Sequence, residues 1–227
     1  IAEEGSGHAE VLHMRGRSYS KTKKYDKAIE DFNEALKLDP DNPDVLIDRA
    51  AAHIYNDDAK EALKDYSRIL ARNPDNVKAL YGRALVYHQL DQSDKARKDL
   101  EKTIEIDPRY VNAYSYLGTI HHLNHDNKEA ISCFSKALDL EKKPDIYYER
   151  AMVYYSENQL DEALSDLSEA IELKPERKEY YNDRGYIYLR KKQYERARTD
   201  FEKALSIDPD YKTARENLAK ISKKVSQ

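Results

Sequence analysis

The chain carries KLDPDNPD at 37–44, and the same kind of segment returns as ARNPDNVK at 71–78, EIDPRYVN at 105–112, ELKPERKE at 172–179 and SIDPDYKT at 206–213. Pro40, Pro74 and Pro108 are spaced by 34 residues, as are Pro175 and Pro209, and the gap of 67 between Pro108 and Pro175 equals two repeats with one residue deleted. A fixed period of this length is the signature of a stacked repeat array, not of one folded core. Registered on the prolines, the units are 9–42, 43–76, 77–110, 111–143, 144–177 and 178–211.

Within that register the eighth positions are Gly16, Ala50, Ala84, Gly118, Ala151 and Gly185, and the twentieth are all Ala, from Ala28 to Ala197. Position 24 is always large: Phe32, Tyr66, Leu100, Phe134, Leu167 and Phe201. Small residues at two points let two helices approach closely, and a bulky residue beside them fills the space around the contact. Proline ends each unit because it cannot continue a helix. The fourth unit departs, with Lys142 where Pro is expected and Pro144 two residues later, so the junction at 140–145 should differ from the others.

Period, small pair and terminal Pro together resemble the tetratricopeptide repeat family over nearly the whole chain. The resemblance implies an all-α fold: a right-handed α-solenoid of six helix hairpins plus a C-terminal capping helix at 212–227, after a flexible lead at 1–8. The cap is also visible in the residues, since Ala214, Leu218, Ile221 and Val225 form one apolar stripe on a basic helix. A terminal repeat needs such a cover because each unit buries its apolar side only against neighbours. No equivalent cap is evident before residue 9.

Composition narrows the function. Acids number 43 against 39 bases, interspersed to a net charge of −4, so no basic field exists to hold a nucleic-acid backbone. No apolar run is long enough to span or insert into a membrane. Cys133 is the single cysteine, which rules out an intramolecular disulfide and favours the cytoplasm. Gly-rich phosphate loops, G-x-S-x-G and H-E-x-x-H are missing, so neither catalysis nor a cofactor is expected. His121, His122 and His125 do not share a helix face suited to a metal, and Cys133 reads as a plain helix residue. The abundant carboxylates read as solvated helix surface.

In the family, positions 2, 5, 6, 9, 12 and 13 of each first helix line a concave groove where peptides or helices dock. Here they include Tyr55, Tyr81, Tyr116, Tyr148, Tyr155 and Tyr186, with Met152 among them, and the acids Asp145, Glu149, Glu179 and Asp183. Aromatic residues that both pack and hydrogen-bond are frequent contact anchors. The expected partner is therefore a protein or peptide segment with apolar and basic side chains. The family's clamp for a chaperone C-terminal carboxylate is not expected: its first window holds His13, Arg17, Asp48, Lys78 and Gly82, with an acid at the centre. Two other uses fit the same array, a substrate-recruiting arm of a larger enzyme and a self-assembling scaffold.

Overall fold

A computed structural model describes the backbone of residues 2–225 and the side chains of residues 7–221. Among the described residues there are thirteen helices and no strand. They pair in sequence as α1 (Ala2–Lys21) with α2 (Tyr25–Leu38), α3 (Pro43–Tyr55) with α4 (Ala59–Arg72), and α5 (Val77–Gln89) with α6 (Ser93–Ile106). The series continues with α7 (Val111–Leu123) and α8 (Asn127–Leu140), α9 (Pro144–Ser156) and α10 (Leu160–Leu173), and α11 (Lys178–Arg190) and α12 (Tyr194–Ile207). Helix α13 (Lys212–Val225) closes the chain. The first helix begins at Ala2, inside the segment 1–8 expected as a flexible lead.

The helices form two compact units, Ile1–Ala113 and Tyr114–Gln227. In the first, Phe32, Leu46, Tyr66, Leu80 and Val86 anchor one core, with Ala28, Ala50 and Ala62 fully buried at the helix contacts. In the second, Leu167 and Ile187 pack with Ala151 and Ala163, while Phe201 and Ile221 pack with Ala197 and Ala214.

The small positions work by direct contact. A β-carbon on Gly16 would lie 2.6 Å from the Phe32 ring, on Gly118 3.0 Å from Phe134, and on Gly185 2.9 Å from Phe201. Glycine thus accompanies phenylalanine at position 24, whereas Ala84 and Ala151 face the slimmer Leu100 and Leu167. In the second hairpin the Tyr66 ring instead reaches Gly82 on α5, where a β-carbon would collide with it. Filling the fully buried Ala130 position with Leu is expected to cost about 1–3 kcal/mol through overpacking, read as a lower thermal midpoint. A variant that melts like the parent would refute the close helix contact there.

Every turn inside a hairpin has the same form. Lys23, Asp57, Asp91, His125, Asn158 and Lys192 adopt φ between 57° and 65°, the left-handed region, although none is glycine. The next amide donates back to the carbonyl five residues earlier, as in Lys24 N to Tyr19 O at 2.9 Å and Asp58 N to His53 O at 2.8 Å. This is the Schellman closure, which satisfies carbonyls that a helix end leaves open. Between hairpins, Asn42 and Asn76 cap α3 and α5 through their side-chain oxygens. At the irregular junction α8 ends at Leu140 and α9 starts on Pro144 at its first turn, where the missing N–H costs nothing.

Charge inside the hairpins corrects the reading of the carboxylates as solvated surface. Position 7 carries Arg and position 23 Asp in five of six hairpins, and each pair bonds across the two helices through two parallel contacts. Arg15–Asp31, Arg49–Asp65, Arg83–Asp99, Arg150–Asp166 and Arg184–Asp200 are these pairs. The five aspartates are 3–7% exposed. Three of the arginines reach further, Arg49 to Asn33, Arg150 to Ser135 and Arg184 to Ser168, tying each hairpin to the one before. In the fourth hairpin Leu117 and Cys133 occupy the two positions.

Candidate functional site

Successive first helices within a unit are linked by hydrogen bonds at a constant separation of 35 residues, one repeat plus one. His13 bonds Asp48 at 2.7 Å in the first unit. In the second unit Tyr180 Oη donates to Asp145 at 2.8 Å, Tyr148 Oη to Asp183 at 2.7 Å, and Asn217 Nδ2 to Asn182 Oδ1 at 3.2 Å. Asn182 in turn donates to the second oxygen of Asp183 at 2.9 Å. A rung between neighbouring helices thus uses both Asp145 and Asp183.

These rungs set the electrostatics. Burial, and then the Asp183 charge, pushes the Tyr148 hydroxyl well above its ordinary pKa, and burial with Asp145 does the same to Tyr180. Burial also raises the Asp183 carboxyl, opposed by the hydrogen bonds from Tyr148 and Asn182. The phenols therefore keep their protons and the carboxylates accept, giving charge-assisted bonds. Glu149 is exposed at the surface, although the protein crowded about it pushes its carboxyl up. Glu179 is half-buried, 3.5 Å from the Arg177 guanidinium.

The rings divide between the units. In the first, Tyr55 is 70% exposed and stacks on Tyr25 with ring centres 5.3 Å apart, and Tyr81 tilts against Tyr110 at 5.3 Å. In the second, Tyr116 is half-buried with its hydroxyl pKa raised by burial, and Tyr148 packs on Tyr180 at 5.1 Å. Tyr155 meets Tyr186 edge to face at 6.2 Å. Met152, Tyr155, Asp183, Tyr186 and Ile187 surround a recess of about 60 Å³. Four of the five are expected contact residues. The Arg190 guanidinium lies 5.0 Å over the Tyr155 ring, so that ring already holds one cation.

Sequence reasoning missed Tyr180, which sits off the expected groove positions, Asn217, which lies beyond the sixth hairpin, and Asn182, which occupies groove position 5 but is neither aromatic nor acidic. The 35-residue spacing between a phenol and a carboxylate was the available signal. Among the described residues no three His, Cys, Asp or Glu groups converge as a metal site. His122 bonds Asn127 at 2.7 Å while His121 faces Asp126 at 3.6 Å. No described helix is long and apolar enough to cross a membrane.

Tetratricopeptide repeat models match residues 9–42, 49–115 and 148–212, most of the chain's length. The chain belongs to the tetratricopeptide repeat family. Solved structures agree in fold. A chain from a study of Pseudomonas aeruginosa pilF matches with a TM-score of 0.80 at 17% identity, covering 96% of this chain and 99% of that one. YrrB, described as a TPR protein with an unusual peptide-binding site, matches with a TM-score of 0.66 at 24% identity over 82% and 96%. A chain of the APC/C hetero-tetramer Cut9-Hcn1 matches with a TM-score of 0.75 at 20% identity over 94% of this chain, which spans 42% of that one. No curated protein matches by sequence. A protein-interaction module is the general use of this repeat.

Proposed function

We propose that the chain is a non-catalytic module that holds a protein segment against the first helices of its second unit, with α9 and α11 at the centre. The observation that carries this reading is the recess among Met152, Tyr155, Asp183 and Tyr186, which joins apolar walls to a carboxylate. An aliphatic or aromatic side chain of the partner fills the recess, and a neighbouring Lys or Arg lies near Asp183, Glu149 and Glu179. The YrrB fold, which carries a peptide-binding site, supports the class of ligand.

Tyr148 and Asp183 are unsuitable test positions, because each completes the other's hydrogen bonding. Tyr155→Ala with Tyr186→Ala removes exposed ring surface instead. With a fluorescent peptide carrying Leu and Phe between Lys and Arg, this double variant is expected to bind at least about tenfold more weakly than the parent. Glu149→Gln with Glu179→Gln should lose less, since exposed ion pairs contribute roughly 0.2–1 kcal/mol, and should flatten the salt dependence. Undiminished binding by the tyrosine variant would place the contact surface elsewhere.

A further inference from the structure

A half-open pocket beside an aromatic pair lies in the first unit and is independent of the reading given for the second-unit surface. It is a pocket of about 230 Å³ where the ends of α1 and α3 meet the start of α2, lined in part by Arg17, Ser20, Lys21, Tyr25, Asp48 and Tyr55. That volume is below the roughly 300 Å³ where drug-sized ligand sites begin, and suits one large side chain.

Three features of the lining select an occupant. Tyr25 and Tyr55 stack almost parallel, at 13°, and present a flat apolar wall of which Tyr55 is 70% exposed. Arg17 and Lys21 stand one helical turn apart on α1, so they point from the same rim. The facing acid, Asp48, accepts a hydrogen bond from His13 at 2.7 Å and lies 3.5 Å from Arg17, which largely satisfies its charge. The α1 side of the rim therefore carries excess positive charge, extended by Lys23 and Lys24 in the adjoining turn, whereas Asp26, Asp57 and Asp58 follow Tyr25 and Tyr55 in the chain. Ser20 Oγ is buried and finds no hydrogen-bond partner among the described residues.

We propose that this pocket binds an acidic protein segment in which an aromatic side chain is flanked by Asp or Glu. The ring enters against Tyr55 and Tyr25, and the flanking carboxylates meet Arg17 and Lys21. Two cations a turn apart fit two side-chain carboxylates better than the single carboxylate of a chain end. The charge preference is opposite to that of the second-unit surface.

The test uses an N-acetylated, C-terminally amidated fluorescent peptide with Phe between Asp and Glu residues, followed by anisotropy. The parent protein should bind it saturably and more weakly as salt rises. Tyr55→Ala and the pair Arg17→Ser with Lys21→Ser should each weaken binding about tenfold, whereas Tyr186→Ala should leave it unchanged. Circular dichroism should show the parent helix content in every variant. The proposal fails if the peptide does not bind, if Tyr55→Ala binds it as the parent does, if only the free C-terminal acid binds, or if Tyr55→Ala weakens a Lys- and Arg-flanked peptide to the same extent. The second-unit surface is tested separately, by its own basic peptide and the paired Tyr155 and Tyr186 substitutions, so the failure of one reading is distinguishable from the failure of the other.

Discussion

Arg150→Leu is expected to destabilise the second unit by about 3 kcal/mol, while Arg150→Leu combined with Asp166→Cys should restore most of that loss. The guanidinium donates to both oxygens of Asp166 at 2.7 and 2.8 Å, and the Asp166 residue is 4% exposed. Removing only the arginine strands a buried carboxylate, the costly half of breaking such a pair, usually about 3–5 kcal/mol. Arg150 keeps 17% of its side chain in solvent, which places the effect at the lower end. It also gives up its bond to Ser135 and its placement over Tyr147 and Tyr154. The double variant copies the fourth hairpin, where Leu117 and Cys133 stand at these positions in a folded helix pair. A buried ion pair replaced by apolar groups of suitable shape is often neutral in stability. Urea unfolding of the three proteins would decide the matter. Equal stability of Arg150→Leu and the parent would mean that the pair is solvated in practice.

That pair also shows why parts of the fold were legible in the sequence and parts were not. The hairpins were readable because steric demands repeat: a Gly or Ala recurs at fixed spacing before a Phe, Leu or Tyr, and at Gly16, Gly118 and Gly185 a β-carbon would already crowd the facing Phe ring. The Arg and Asp at positions 7 and 23 recur just as regularly. They escaped notice because position 7 lies on the core-facing arc, where a charge contradicts the apolar pattern unless its partner on the second helix is already known. The turns were opaque for a related reason. Six residues adopt a left-handed backbone without one glycine among them, so the usual signal for that conformation is lacking. At the candidate surface, the grouping of Met152, Tyr155, Asp183 and Tyr186 was legible from helical geometry, since the matching faces of α9 and α11 carry two of them each. The engagement of Asp145 and Asp183 by phenols was not, because it depends on how far one helix is shifted along the next. Val225, the last member of the expected capping stripe, has a side chain outside the described residues. Ala214, Leu218 and Ile221 can be placed.

Those three residues define the second large expected effect, that removing 212–227 lowers stability by a few kcal/mol. Ala214 and Ile221 are fully buried and Leu218 partly so, all within the cluster that contains Tyr181, Leu189 and Phe201. Helix α13 packs on both α12 and α11. Burying an aliphatic side chain of this size contributes about 1.5–3 kcal/mol, and ordering a short helix takes back a share of the total. Asn217 is 4% exposed, and its loss also opens the hydrogen bond to Asn182, whose amide holds Asp183. The damage should therefore start in the last hairpin. In a repeat array stability is transmitted between nearest neighbours, so amide exchange in 178–207 should accelerate more than in 144–173. Ile221→Ala, which keeps the helix and Asn217, should lose less than the truncation, about 2 kcal/mol, the low end for a buried Ile truncation at a chain-terminal site that can collapse. An unchanged melting temperature after truncation at Tyr211, with uniform exchange across both hairpins, would show that α11 and α12 hold their own apolar faces without a cover.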